Sequence, residues 1–154
     1  MANEAARTHE LQSSLKAIIN VLEDGQKGMA SIADHVQDEG LKVFFLAESL
    51  KRAGFRGELE NELHRMGIAD VHESGTAAGV LYRAWADLKG ALGGGDRTML
   101  ATAEQGEDEA KAAYKDALAK ELPMPLRQLL TSQQTQIIAS HDFICTQRDT
   151  PHAA

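Results

Sequence analysis

Five side chains in this chain have types and spacings that could do chemistry: Glu23, Glu58, Glu62, Glu107 and His141. Glu58, Glu107 and His141 fall within or beside the apolar stripes of three separate predicted helices. A charge that faces a core unpaired costs several kcal/mol or more, so such groups are normally paired or bound to a cation. Carboxylates with imidazole suit iron or manganese, and bridging carboxylates hold two such ions a few Å apart. The spacing supports a common level. Glu23 and Glu58 are 35 residues apart, astride a turn near Gly40, and Glu107 and His141 are 34 apart, astride a turn near Met124. At about 1.5 Å rise per residue, each pair lies about 26 Å from its turn. Asn61 and Glu62 follow Glu58 at i+3 and i+4, on the same helical face.

The elements that must position these groups are helices. Apolar residues recur at three- and four-residue steps from Leu11 through Leu15, Ile18, Leu22, Met29 and Ile32 to Val36, which predicts a first helix over 8–36. A tight turn at Asp38-Glu39-Gly40 leads to a second helix over 41–66, read through Val43, Phe44, Leu46, Leu50, Phe55, Leu59 and Leu63 and capped by Gly67. Ser74 opens a shorter helix over 74–92 carrying Tyr82 and Trp85, and Gly93-Gly94-Gly95 breaks it. Asp96 is expected to cap a helix over 96–121, and Pro123 and Pro125 redirect the chain into a last helix over 126–148. Gly25 and Gly28 weaken the first helix and allow close approach of a neighbour. Short turns make each long pair an antiparallel hairpin, and a long crossover joins them. The expectation is one all-α domain over 1–154, a ferritin-like up-down four-helix bundle whose crossover carries the short extra helix.

Composition agrees. Of 154 residues, 43% are apolar and only 5% aromatic, which suits an Ala/Leu-rich helical protein. With 16 basic against 23 acidic residues the formal charge is −7, a poor match to a nucleic-acid backbone. Cys145 is alone, so an intramolecular disulfide and a Cys-based zinc motif are excluded, and it reads as a small apolar residue on a helix. The polar N-terminus is no signal peptide, no stretch is long enough to span a membrane, and a cytoplasmic location is expected.

Ferritin-like metal sites take a Glu from each of two helices and a Glu-x-x-His from each of the other two. Here Asn61 occupies the first expected His position, and the helix from Pro125 to Arg148 contains no Glu, only neutral Gln133, Gln134 and Gln136. Ion pairing is the competing account: Glu23 with Lys27, Glu48 with Arg52, Glu58 and Glu62 with Arg56 or Arg65, and His141 beside Asp142.

Six segments carry a family likeness: Glu23-Asp24-Gly25-Gln26-Lys27-Gly28, Phe55-Arg56-Gly57-Glu58-Leu59, Arg83-Ala84-Trp85-Ala86-Asp87-Leu88-Lys89, Gly106-Glu107-Asp108-Glu109-Ala110, Tyr114 and Ser140-His141-Asp142. Together they resemble a bacterial family of ferritin-like four-helix bundles that bears only a domain-of-unknown-function label. The resemblance implies a plan similar to rubrerythrins and bacterioferritins. It does not carry ferroxidase activity over, because the paired Glu-x-x-His motifs are incomplete. The expected function is a non-catalytic, stress-associated or interaction protein, a homodimer, with Tyr82 and Trp85 either packing the crossover or forming a dimer patch. The alternative is a di-metal iron or manganese protein with ferroxidase- or peroxidase-like chemistry, held by Glu23, Glu58, Glu62, Glu107 and His141.

Overall fold

A computed structural model describes residues 2–68 and 94–150. The expected crossover helix over 74–92, with Ser74, Tyr82 and Trp85, lies outside the described residues. Those residues form four helices and no strand: α1 Ala2–His35, α2 Glu39–Arg65, α3 Asp96–Leu118 and α4 Met124–Asp149. No helix among them is long and apolar enough to cross a membrane.

Two ends differ from the sequence expectation, for local reasons. The reversal between α1 and α2 comes two residues earlier than Asp38–Gly40, at residues 36–38. Asp38 is the N-cap of α2, its Oδ2 accepting from the Leu41 amide at 2.8 Å, so Glu39 and Gly40 already belong to the helix. Asp96 does not cap α3; Gly95 holds that position at φ 86°. The Asp96 carboxylate instead accepts from the amides of Gln37 at 2.7 Å and Asp38 at 2.9 Å, tying the start of α3 to the α1–α2 turn. The Gly67 cap holds: at φ 76° it lets Ile68 N–H return to Leu63 O at 2.9 Å. At the other hairpin, the Arg127 guanidinium donates to the end of α3, to Leu118 O at 3.1 Å and Lys120 O at 2.6 Å.

Each helix packs against two neighbours: α1 against α2 and α3, α4 against α3 and α2. The pairs α1/α4 and α2/α3 are therefore diagonal. Ser14 meets Asp116 and Gln37 meets Asp96, so α1 and α3 run antiparallel and the diagonal α2 and α3 run parallel. The chain leaves α2 near Leu11 and Leu122 and enters α3 at the opposite end, beside the α1–α2 turn.

The apolar core comes in two parts. One gathers Leu15, Ile18, Leu22, Phe55, Leu59, Tyr114, Leu126, Leu130 and Ile137. The other gathers Met29, Ile32, Val36, Leu41, Phe45, Met99, Leu100 and Ile144. Burying each such aliphatic side chain contributes about 1.5–3 kcal/mol. The level between the two clusters is polar.

Candidate functional site

The buried stripe of α2 reads Leu41, Phe45, Glu48, Arg52, Phe55, Leu59, Leu63, with two charges midway along an otherwise apolar seam. Steps of three and four put all seven on one face. Arg52 is thereby carried into the centre of the bundle, where only 1% of it is exposed. Its Nη2 lies 2.6 Å from Glu107 Oε2 on α3 and 3.4 Å from Ser140 Oγ on α4. Its Nη1 lies 3.5 Å from Glu48 Oε2, and its Cζ stands 5.9 Å from the centre of the Phe55 ring. Gly25 on α1 makes the room: a Cβ there would touch Arg52 Cγ at 3.5 Å. All four helices thus contribute to one polar level.

The electrostatics of this level are those of a desolvated ion pair. Burial pushes the Glu107 carboxyl up, while the Arg52 charge, its hydrogen bond and that of Ser140 pull the other way. Lys51 Nζ reaches Glu48 Oε1 at 3.0 Å from the rim. Arg52 Nε and Nη1 and Glu48 Oε2 have no hydrogen-bond partner, so charge attraction alone engages them. One step along the bundle, the buried Tyr114 hydroxyl donates to Gln133 Oε1 at 2.7 Å, and Gln133 Nε2 donates to Phe55 O at 3.1 Å. Burial drives the Tyr114 phenol far above its ordinary range. On α1, burial raises half-buried Asp24 to about 6, with Lys27 opposing and Glu23 assisting.

The five expected ligand residues are not gathered at one point. Glu107 is at the centre, held by Arg52. Glu23 pairs with Lys27 at 3.2 Å and lies 3.8 Å from Arg56. Glu58 is on the exposed face, its Oε1 3.5 Å from Gln133 Nε2. Glu62 pairs with Arg65 at 3.2 Å. His141 Nε2 lies 2.8 Å from Asp108 on α3. The expected levels of Glu107 and His141 do agree, since Asp108 and His141 touch. Glu107, however, meets position 52 of α2 rather than position 58, an axial offset of about 9 Å. As they stand, these residues do not fit a shared pair of ions.

His141 belongs to a different cluster, between α3 and α4. One ligand-capable atom each from Glu104, His141 and Cys145 lies within 4.8 Å of the other two, the one such trio among the described residues. Cys145 Sγ donates to Glu104 Oε1 at 3.2 Å and is 3.8 Å from either ring nitrogen of His141. Arg148 Nη1 pairs with Glu104 Oε2. Burial and the charges of Asp108, Asp142 and Asp149 raise the Cys145 thiol, with Lys111 opposing.

Reading α2 by its apolar residues alone missed Arg52 as the central residue, although it rightly paired Glu48 with Arg52. The signal was present in the unbroken 41-45-48-52-55-59-63 spacing. The apolar residues Val43, Leu46 and Leu50, through which this helix is also read, are 68%, 54% and 67% exposed.

No curated protein matches the chain. The profile of the family described as domain of unknown function (DUF2383) matches residues 10–120, from α1 through α3. Arg52, Glu107, Gly25 and Glu48 all fall inside that span, and the chain belongs to this family.

Proposed function

We propose that the protein is a ferritin-like bundle without catalysis at its centre, acting through protein contacts as a homodimer. The observation that carries this reading is the Arg52–Glu107 pair at 2.6 Å. In a ferritin-like plan the middle of the four helices is where inward carboxylates hold metal ions. Here a guanidinium neutralises the carboxylate in that place, and Glu58 is an exposed residue at the edge of α2 whose carboxylate approaches Gln133. The parallel diagonal of α2 and α3 is consistent with two hairpins joined by a long crossover, as the ferritin-like plan requires.

The contact surface follows from the same rotation of α2. Val43, Leu46 and Leu50 form an exposed i, i+3, i+7 seam on the outer face of α2. Beside it, on the flank toward α4, Phe44 packs on Phe143 with ring centres 4.3 Å apart. An apolar seam of this spacing can pack against its own copy about a twofold axis, which is the basis for proposing a second copy of this chain as its occupant. Sedimentation of the wild type should give a dimer, and Leu46→Glu with Leu50→Glu should give a folded monomer. A wild-type monomer at micromolar concentration would overturn the homodimer.

The alternative, an iron or manganese pair, requires Glu107 to leave Arg52 and Glu58 to turn inward. Metal analysis of untagged protein discriminates. Stoichiometric iron or manganese that disappears in a Glu58→Ala, Glu107→Ala variant would establish the alternative. Unchanged stability on adding ferrous ion under argon supports the bundle without metal, because a ligand of the native state must stabilise it.

A further inference from the structure

We propose that Glu104, His141 and Cys145 form a binding site for a divalent metal ion of the zinc class in the groove between α3 and α4. This site is separate from the central Arg52 level and shares no residue with it. Glu104 on α3 faces the i, i+4 pair His141 and Cys145 on the antiparallel α4. Residues four apart stand one above the other on a helix face, so α4 presents two ligands to the groove beside Glu104.

The dimensions fit. Tetrahedral zinc, with bonds of about 2.0–2.3 Å, places its ligand atoms about 3.3–3.8 Å apart. Cys145 Sγ is 3.2 Å from Glu104 Oε1 and 3.8 Å from the His141 ring nitrogens. Asp108 Oδ1 lies 2.8 Å from His141 Nε2, a hydrogen-bond distance shorter than a ligand–ligand edge, so Asp108 orients the imidazole and water takes the fourth position. The surroundings fit as well. Arg148 holds Glu104 Oε2, leaving Oε1 turned toward the sulfur, and Asp108 holds His141 Nε2 at 2.8 Å, more closely than Asp142 approaches Nδ1 at 3.3 Å, which leaves Nδ1 as the ligand. Partners of this kind orient ligands in metal sites generally, which makes Arg148 and Asp108 positioning residues. The His141 side chain is 12% exposed and that of Asp108 59%, so the groove is sheltered on one side and open to an entering ion on the other.

This is not the several-cysteine motif that a lone Cys145 excludes; one thiolate with imidazole and carboxylate still selects zinc over magnesium or calcium, which take oxygen ligands. Binding replaces the Sγ–H···Oε1 bond with sulfur–metal and oxygen–metal bonds, and the thiol proton is released to solvent. No redox step is involved.

The full chain, purified without a histidine tag, is titrated with zinc against a chromophoric chelator, and with cobalt(II) as a spectroscopic probe. The expected result is one zinc per chain and a thiolate-to-cobalt charge-transfer band. Cys145→Ser should abolish that band, and Cys145→Ser and His141→Asn should each weaken zinc binding at least tenfold. Arg148→Gln should weaken it less, and Glu58→Gln should leave it unchanged. Circular dichroism checks that the variants fold; these side chains are at least partly exposed, and Asp108→Asn offers a milder test. Absence of stoichiometric zinc, or equal affinity in the Cys145→Ser and His141→Asn variants, would overturn the site. So would binding lost in Glu58→Gln but kept in Cys145→Ser, which would move the ion to the bundle centre. The dimer test above does not depend on any of these results.

Discussion

Arg52 on α2 and Glu107 on α3 meet at 2.6 Å across the diagonal of the bundle, each 1% exposed. Neither helix packs along the other, so this pair is the link that sets α2 and α3 in register. Taking two charges out of water costs several kcal/mol per ion, and mutual attraction offsets this only when both are present. The pair therefore acts less as a source of stability than as a constraint on how the four helices assemble.

The pair should be strongly coupled. Arg52→Met leaves Glu107 buried without its cation, an expected loss of about 3–5 kcal/mol. Arg52→Met combined with Glu107→Leu should lose less than Arg52→Met alone, because an apolar pair fills the same space. Urea unfolding of the two single variants and the double variant measures this. Losses that simply add would reject the coupling.

Asp24 should make the protein less stable as pH rises. Burial raises its carboxyl to about 6 in the folded chain, above the ordinary value of 3.8. The native state therefore binds this proton more tightly than the unfolded chain. The contribution is fully present below about pH 4 and is lost as pH climbs through about 6. Asp24→Asn removes the titration, so its stability relative to wild type should be greater at about pH 7 than at about pH 4. Melting temperatures at the two pH values test the sign.

Gly25 separates small from large substitutions. A Cβ would sit 3.5 Å from Arg52 Cγ, ordinary contact, so Gly25→Ala should be neutral or gain up to about 1 kcal/mol of helix propensity. Gly25→Leu has to push Arg52 off its place, and should cost about as much as Arg52→Met. Equal stability of the Ala and Leu variants would show that α1 does not confine Arg52.

Asp96 should hold the α1–α2 turn against the start of α3. Asp96→Ala removes both bonds to the Gln37 and Asp38 amides, at an expected cost of about 1–2 kcal/mol. Hydrogen exchange reads this locally, as lost protection at those two amides while the middle of α1 keeps its own.

Much of the fold was legible in the sequence. Helical periodicity, the Gly67 cap and the Pro123–Pro125 break marked the helices, because these features act within a few residues of chain. The N-terminal extension of α1 to Ala2 was missed because residues 3–10 are exposed and carry no apolar stripe. Local ion pairs were legible for the same reason of proximity: Glu23 with Lys27, and Glu48 with Arg52.

What the sequence alone determined, then, is a set of helices, their turns and the matching level of Glu107 and His141. Tertiary structure decided which side of α2 faces inward. That helix carries two apolar stripes, one through Leu41, Phe45, Phe55, Leu59 and Leu63 and another through Val43, Leu46 and Leu50, and periodicity cannot rank them. The choice depends on what the other helices offer: space at Gly25, a carboxylate at Glu107 and a hydroxyl at Ser140, which together accept the charge of Arg52. Once Arg52 points inward, the helix is rotated so that Glu58 lies at the exposed edge beside Gln133 and Val43, Leu46 and Leu50 become a surface.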